Sequence, residues 1–192
     1  MKKKGLAMVL ALVLLAVCAV SGTLAWLTAK SDTVVNTFTT SDIEVKLEET
    51  KGTTVTGGKE FKMIPGYDLE KDPKATVLAG SEECYLFVKL DKSTNFDDFL
   101  TYEMAEGWTL VPNETNVYFR KVLTADIGTA YSVLKGDQVT VKGSVTKEQM
   151  NALDAAGAAK PTLTITAYAS QLLKNATETF SASEAWNNIA NK

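Results

Sequence analysis

No histidine occurs anywhere in the 192 residues of this chain. That removes His-dependent nucleophile triads and the two-histidine helical zinc motif of metalloproteases. Cysteine is nearly absent too: Cys18 lies in an N-terminal apolar run, and only Cys84 lies beyond it. With so few nitrogen and sulfur ligands, carboxylates alone remain, and they make a poor zinc set. Basic residues form no block after Lys2-Lys3-Lys4, and 20 basic residues face 23 acidic ones. Such a surface argues against nucleic acid as a partner. No phosphate loop is present, because Gly57-Gly58 lacks a following Lys-Ser/Thr and a helix. No internal repeat occurs. The C-terminus has no apolar segment followed by basic residues, so sortase anchoring is not expected. No pair of carboxylates stands out for glycoside hydrolysis. The expectation is a non-enzymatic chain without a cofactor or metal.

What is present begins at the N-terminus. Lys2, Lys3 and Lys4 precede an apolar run from Gly5 to Val20, which leads into Ser21-Gly22-Thr23-Leu24-Ala25. A positive start, an apolar middle and a small-residue exit make a secretory signal peptide. Cleavage is expected between Ala25 and Trp26, leaving residues 26–192 as one secreted domain, with the membrane met only through residues 1–25. Removing three lysines and no acid makes the product more acidic. Two alternatives stand beside cleavage. Gly5 to Ala29 carries no charge and is long enough to span a bilayer as a retained anchor. Cys18 follows Leu15-Ala16-Val17, a weak lipidation context because Val17 is a poor residue there. After cleavage only Cys84 remains, so no internal disulfide can form.

The rest is strand-rich. Ile43, Val45 and Leu47 alternate with Glu44, Lys46 and Glu48, the period of a half-buried strand. Thr53 to Thr56 runs into the Gly57-Gly58 turn, Phe61 to Ile64 resumes as a strand, and Pro65-Gly66 breaks it. Thr76 to Leu78 is a short strand. Cys84 to Leu90 is apolar on both faces and reads as a central strand. Asn95 caps a helical turn carrying Phe96 and Phe99. Trp108–Val111 and Val117–Leu123 flank Pro112-Asn113 as a hairpin. Gln138 to Val145 alternates, and Thr146 with Gln149 forms a capping box for a helix over Lys147–Ala156, ended by Gly157. Thr162 to Ala169 alternates again, and Ser183 caps a terminal helical turn. Short strands separated by turn signals predict an all-β sandwich with short helical insertions.

Three features are candidate sites. Asp68-Leu69-Glu70-Lys71-Asp72 spaces three carboxylates at alternate positions, an oxygen-rich cluster of the kind calcium prefers, but Pro73 falls where an EF-hand needs glycine, so a solvated acidic strand or loop is expected. Trp108 and Trp186 can stack on sugars or fill a core, and core is the expected use. Cys84 in its apolar run reads as a buried, inert thiol.

The junction Gly22-Thr23-Leu24-Ala25-Trp26-Leu27-Thr28, then Val35-Asn36-Thr37-Phe38, then the first alternating strand, resembles the camelysin/TasA family. Pro65-Gly66-Tyr67-Asp68 resembles that family's Pro-Gly-Asp segment, with Tyr67 as a departure, and Ile165 to Gln171 with Ser183-Glu184-Ala185-Trp186 resembles its last strand and C-terminal turn. The resemblance implies a jelly-roll-like β-sandwich, export through a SipW-type signal peptidase, and a biofilm-matrix role in Gram-positive bacteria. It implies head-to-tail fibres in which each subunit donates an N-terminal segment, here residues 26–38, to a second copy. Trp26, Leu27, Val34, Val35 and Phe38 are the expected donor residues, by β-augmentation of a sheet edge. Camelysins have been classed as metallopeptidases, but this chain lacks the ligands. The alternative is a monomeric cell-surface module binding carbohydrate or a host protein, since a β-sandwich alone does not decide function.

Overall fold

The computed structural model describes residues 42–190. They form an all-β structure of four antiparallel sheets with three short helices. The signal segment, the cleavage junction Ala25/Trp26 and the donor residues through Phe38 lie outside the described residues.

The longest strands are β6 (Cys84–Lys92) and β12 (Leu163–Gln171), paired along their whole length from Leu163 opposite Lys92 to Gln171 opposite Cys84. On its other side β6 pairs with β9 (Val117–Val122), which pairs with β8 (Thr109–Leu110). The central position expected for Cys84–Leu90 is therefore observed. Side chains alternate across a strand, so one face carries Cys84, Leu86, Val88 and Leu90 and the other Tyr85 and Phe87. All six are buried, because each face has its own apolar partner layer.

The layer against the Leu86 face is assembled from shorter strands. β1 (Val45–Glu48) and β10 (Ala130–Ser132) flank β5 (Lys74–Val77). β4 (Asp68–Glu70) and β7 (Leu100–Thr101) flank β11 (Gln138–Val141). The chain passes from β4 into β5 and from β10 into β11. Lys71 N–H donates to Asp137 C=O and Val133 N–H to Pro73 C=O, each at 2.9 Å, so pairing continues across the joins. Ala75, Val77, Val139 and Val141 from this layer meet Leu86 and Val88 in one core. A separate hairpin joins β2 (Thr53–Val55) to β3 (Gly58–Glu60). Its strand lies at Gly58–Glu60 rather than at Phe61–Ile64, because Gly57 turns the chain at φ 88° one residue earlier than expected.

The second face of β6 is covered by α3 (Ala182–Ala190), whose Ala182, Ala185 and Trp186 pack on Tyr85 and Phe87. Its cap is Ser181, not Ser183. Ser181 Oγ accepts from Glu184 N–H at 3.3 Å, and Glu184 Oε2 accepts from Ser181 N–H at 2.8 Å. That is a capping box two residues ahead of the expected position. The Thr146–Gln149 box is present at α2 (Lys147–Leu153), which stops earlier than Ala156. α1 (Phe96–Phe99) forms, but Asn95 does not cap it. Asn95 instead ties two loops, accepting from the Ser93 hydroxyl at 2.7 Å and donating to Ala159 C=O at 2.8 Å.

Candidate functional site

Sheet edges are where a strand-donating chain would accept its neighbour. Natural edge strands avoid unwanted pairing by being short, charged or interrupted by proline. Most edges here follow that rule. β7 and β8 have two residues each. β1 carries Lys46 and Glu48, joined at 2.8 Å.

β12 does not follow it. Its nine residues read Leu-Thr-Ile-Thr-Ala-Tyr-Ala-Ser-Gln, without a charge or a proline. Leu163, Ile165, Ala167 and Ala169 pack on the core beneath, while Tyr168 on the other face packs on Trp186 with ring centroids 5.4 Å apart. Both faces hold the strand flat against β6, and among the described residues its outer edge pairs with no strand. At a rise of about 3.4 Å per residue the edge is about 30 Å long. A groove of about 880 Å³ adjoins its Leu163 end, floored by Phe61, Met63, Leu69 and Leu153 and rimmed by Lys59 and Lys160.

The acidic run does not gather into a cation site. Asp68 Oδ1 accepts from the Thr140 hydroxyl at 2.5 Å, and Glu70 pairs with Lys51 at 2.9 Å. Asp72 Oδ1 accepts from the backbone N–H of Thr50 at 2.9 Å and of Lys51 at 2.8 Å. Each carboxylate serves a separate structural joint. Burial alone would raise the Asp72 pKa, but the hydrogen bond from the Thr50 hydroxyl, together with those from the two backbone N–H groups, outweighs it and holds the carboxyl below its usual range. Among the described residues no three His, Cys, Asp or Glu side chains gather as a metal-holding group.

Trp108 and Trp186 each have partners within the protein. Trp108 Nε1 donates to Ser132 C=O at 2.9 Å, and the Arg120 guanidinium sits over its ring at 5.4 Å while covering Tyr131 at 3.5 Å. Trp186 Nε1 donates to Glu114 at 3.0 Å. Cys84 is a free, fully buried cysteine whose thiol burial pushes up to about 11. An undissociated thiol is a poor nucleophile.

The β12 edge went unmarked in the sequence reading. Its signal was available in the alternation from Leu163 to Ser170 together with the absence of any charge or proline over those positions. In comparison with known proteins, no family model, curated protein or solved structure matches this chain.

Proposed function

We propose that this chain is a secreted, non-enzymatic structural protein of the camelysin/TasA type. It is exported through a SipW-type signal peptidase and assembles into extracellular, cell-surface-associated matrix fibres. Residues 26–38 of one copy add as a strand to the next. The observation that carries this reading is the uncharged, nine-residue edge of β12, whose outer side pairs with no strand among the described residues. Backbone hydrogen bonds along such an edge supply affinity, and alternate side chains entering flanking pockets supply specificity.

The strand order supports a jelly-roll-like sandwich. One layer runs β12-β6-β9-β8, and the other is built from β1, β4/β5, β10/β11 and β7. In a jelly roll the first strand lies beside the last. Here β1 pairs with β5 and runs close to β12 without pairing to it, so among the described residues no strand is hydrogen-bonded to the outer side of β12. A strand donated by another copy would complete that sheet. Thr33-Val34-Val35 is β-prone, and the segment Trp26–Phe38 contains no proline. Donation from one copy to the next does not close on itself, so it generates filaments.

The core described above draws on residues from Ile43 onward. A chain lacking residues 1–38 is expected to fold and to serve as an acceptor. A synthetic peptide of residues 26–38 is expected to bind this truncated chain and to suppress polymerisation of the secreted protein. A peptide with Val35 replaced by proline is expected to do neither. Equal binding by both peptides contradicts strand addition.

A further inference from the structure

A second cavity, of about 330 Å³, opens where β6 ends and β9 begins. It lies on the β9 side of β6, across that strand from the Leu163 end of β12, and nothing in the assembly reading uses it. Its size is at the lower end of small-ligand sites. Its wall is polar and aromatic, formed by Asp91, Lys92, Tyr102, Thr115, Asn116 and Tyr118.

The polar groups are pre-positioned. Asn116 Nδ2 donates to Asp91 Oδ1 at 2.8 Å, and Asn116 C=O accepts from Leu90 N–H at 2.9 Å, which clamps the turn entering β9 onto β6. Lys89 Nζ lies 3.1 Å from Asp91 Oδ2. Lys92 Nζ lies 2.9 Å from Asp97 and 5.0 Å from the centre of the Tyr102 ring. Each charge at the cavity thus has its counter-charge within the protein, so the site has no net demand for an ion.

Tyr102 is fixed by an edge-on contact with Phe96, ring centroids 5.9 Å apart. Tyr85 elsewhere donates its hydroxyl to Phe180 C=O at 2.8 Å. Among the described residues the hydroxyls of Tyr102 and Tyr118 make no such bond, in contrast to Tyr85. The cavity wall therefore supplies two phenol hydroxyls, a carboxylate with lone pairs to spare and an amide oxygen. A neutral sugar needs that set, because its hydroxyls both donate and accept.

We infer that this cavity is a binding site for one unit of a neutral polysaccharide, with Asp91 and Asn116 ordering the sugar hydroxyls and the Tyr102 and Tyr118 hydroxyls bonding to them. The site would let a matrix protein adhere to matrix glycan, yet it does not depend on polymerisation.

The test is affinity electrophoresis of the secreted protein through gels containing a soluble neutral glucan, a galactomannan or glycol chitin, with alginate as a polyanion. Retardation by at least one neutral polymer is expected. Tyr102→Phe/Tyr118→Phe removes only the two hydroxyls and is expected to weaken retardation tenfold or more with an unchanged melting temperature. Thr115→Lys, at an exposed rim position, is expected to block the mouth and abolish retardation while the protein stays folded. No retardation by any neutral polymer overturns the inference. So does retardation by alginate alone, or wild-type binding by folded Thr115→Lys. Filament formation is scored separately and is expected to be normal in both variants, which keeps this inference distinct from the assembly reading.

Discussion

Trp186 packs against Phe87 with ring centroids 5.4 Å apart, and this contact ties the C-terminal helix to the middle of the central strand. The same indole meets Tyr168 on β12 and donates to Glu114 in the β8–β9 turn. One side chain therefore joins the helix, two neighbouring strands and the hairpin. Trp186→Ala is expected to cost about 3–5 kcal/mol of folding stability, as for other large-to-small aromatic changes in cores. Trp186→Phe keeps most of the apolar contact and loses the hydrogen bond, so about 1–2 kcal/mol is expected. Urea denaturation followed by fluorescence and circular dichroism checks both. A loss below 1 kcal/mol for the alanine variant would remove the helix from the core account.

Asp72 holds the Thr50–Lys51 backbone to the start of β5, and its lowered pKa makes this joint sensitive to acid. A carboxyl with a folded-state pKa below its unfolded value, about 3.9, stabilises the fold above that value. The stabilisation disappears as pH falls through the folded pKa. Asp72→Asn is expected to lose about 1.5–3 kcal/mol at pH 7, the range for hydrogen bonds to a charged group. Urea midpoints of wild type and variant should draw together below pH 4. A constant gap from pH 7 to pH 3 would show that the carboxylate charge is not what matters.

Cys84 is expected to be silent to thiol reagents in the native protein. It is 0% exposed, and its thiol is pushed up to about 11. Ellman's reagent at pH 8 should react only as fast as the protein opens, and at once in 6 M guanidinium. Rapid native labelling would place Cys84 on an accessible surface.

How much of this could be read in advance depends on the range of the forces involved. β6 was legible because Cys84 to Leu90 is apolar at every position but Lys89, which marks a strand buried on both faces. The Thr146–Gln149 box was legible because both partners lie within one helical turn. β10 was not, since Ala130-Tyr131-Ser132 is too short to show alternation and is a strand only by pairing with Lys74 to Thr76. Asn95 resembles a cap in sequence, but its amide is drawn away by Ala159, sixty-four positions on. The β12 edge was legible as a strand but not as a site. An unpaired outer side is a property of strand order, and strand order depends on β1 choosing β5.

Processing is testable directly. Thr23-Leu24-Ala25 places small residues where a signal peptidase reads, with Trp26 just beyond. The secreted protein is expected to begin at Trp26. N-terminal sequencing that finds a start more than about four residues away, or only the full-length membrane form, would contradict it.

The central claim is that the N-terminal segment of one copy completes the β12 edge of another. Electron microscopy of the secreted protein beside a deletion of residues 26–38 and a Val35→Pro variant tests it most directly. Filaments are expected from the wild type, folded soluble monomers from the deletion and from Val35→Pro, and weakened assembly from Phe38→Ala, which keeps the backbone hydrogen bonds. Wild-type filaments from the deletion, or an intact secreted protein that stays monomeric under every assembly condition, would contradict it.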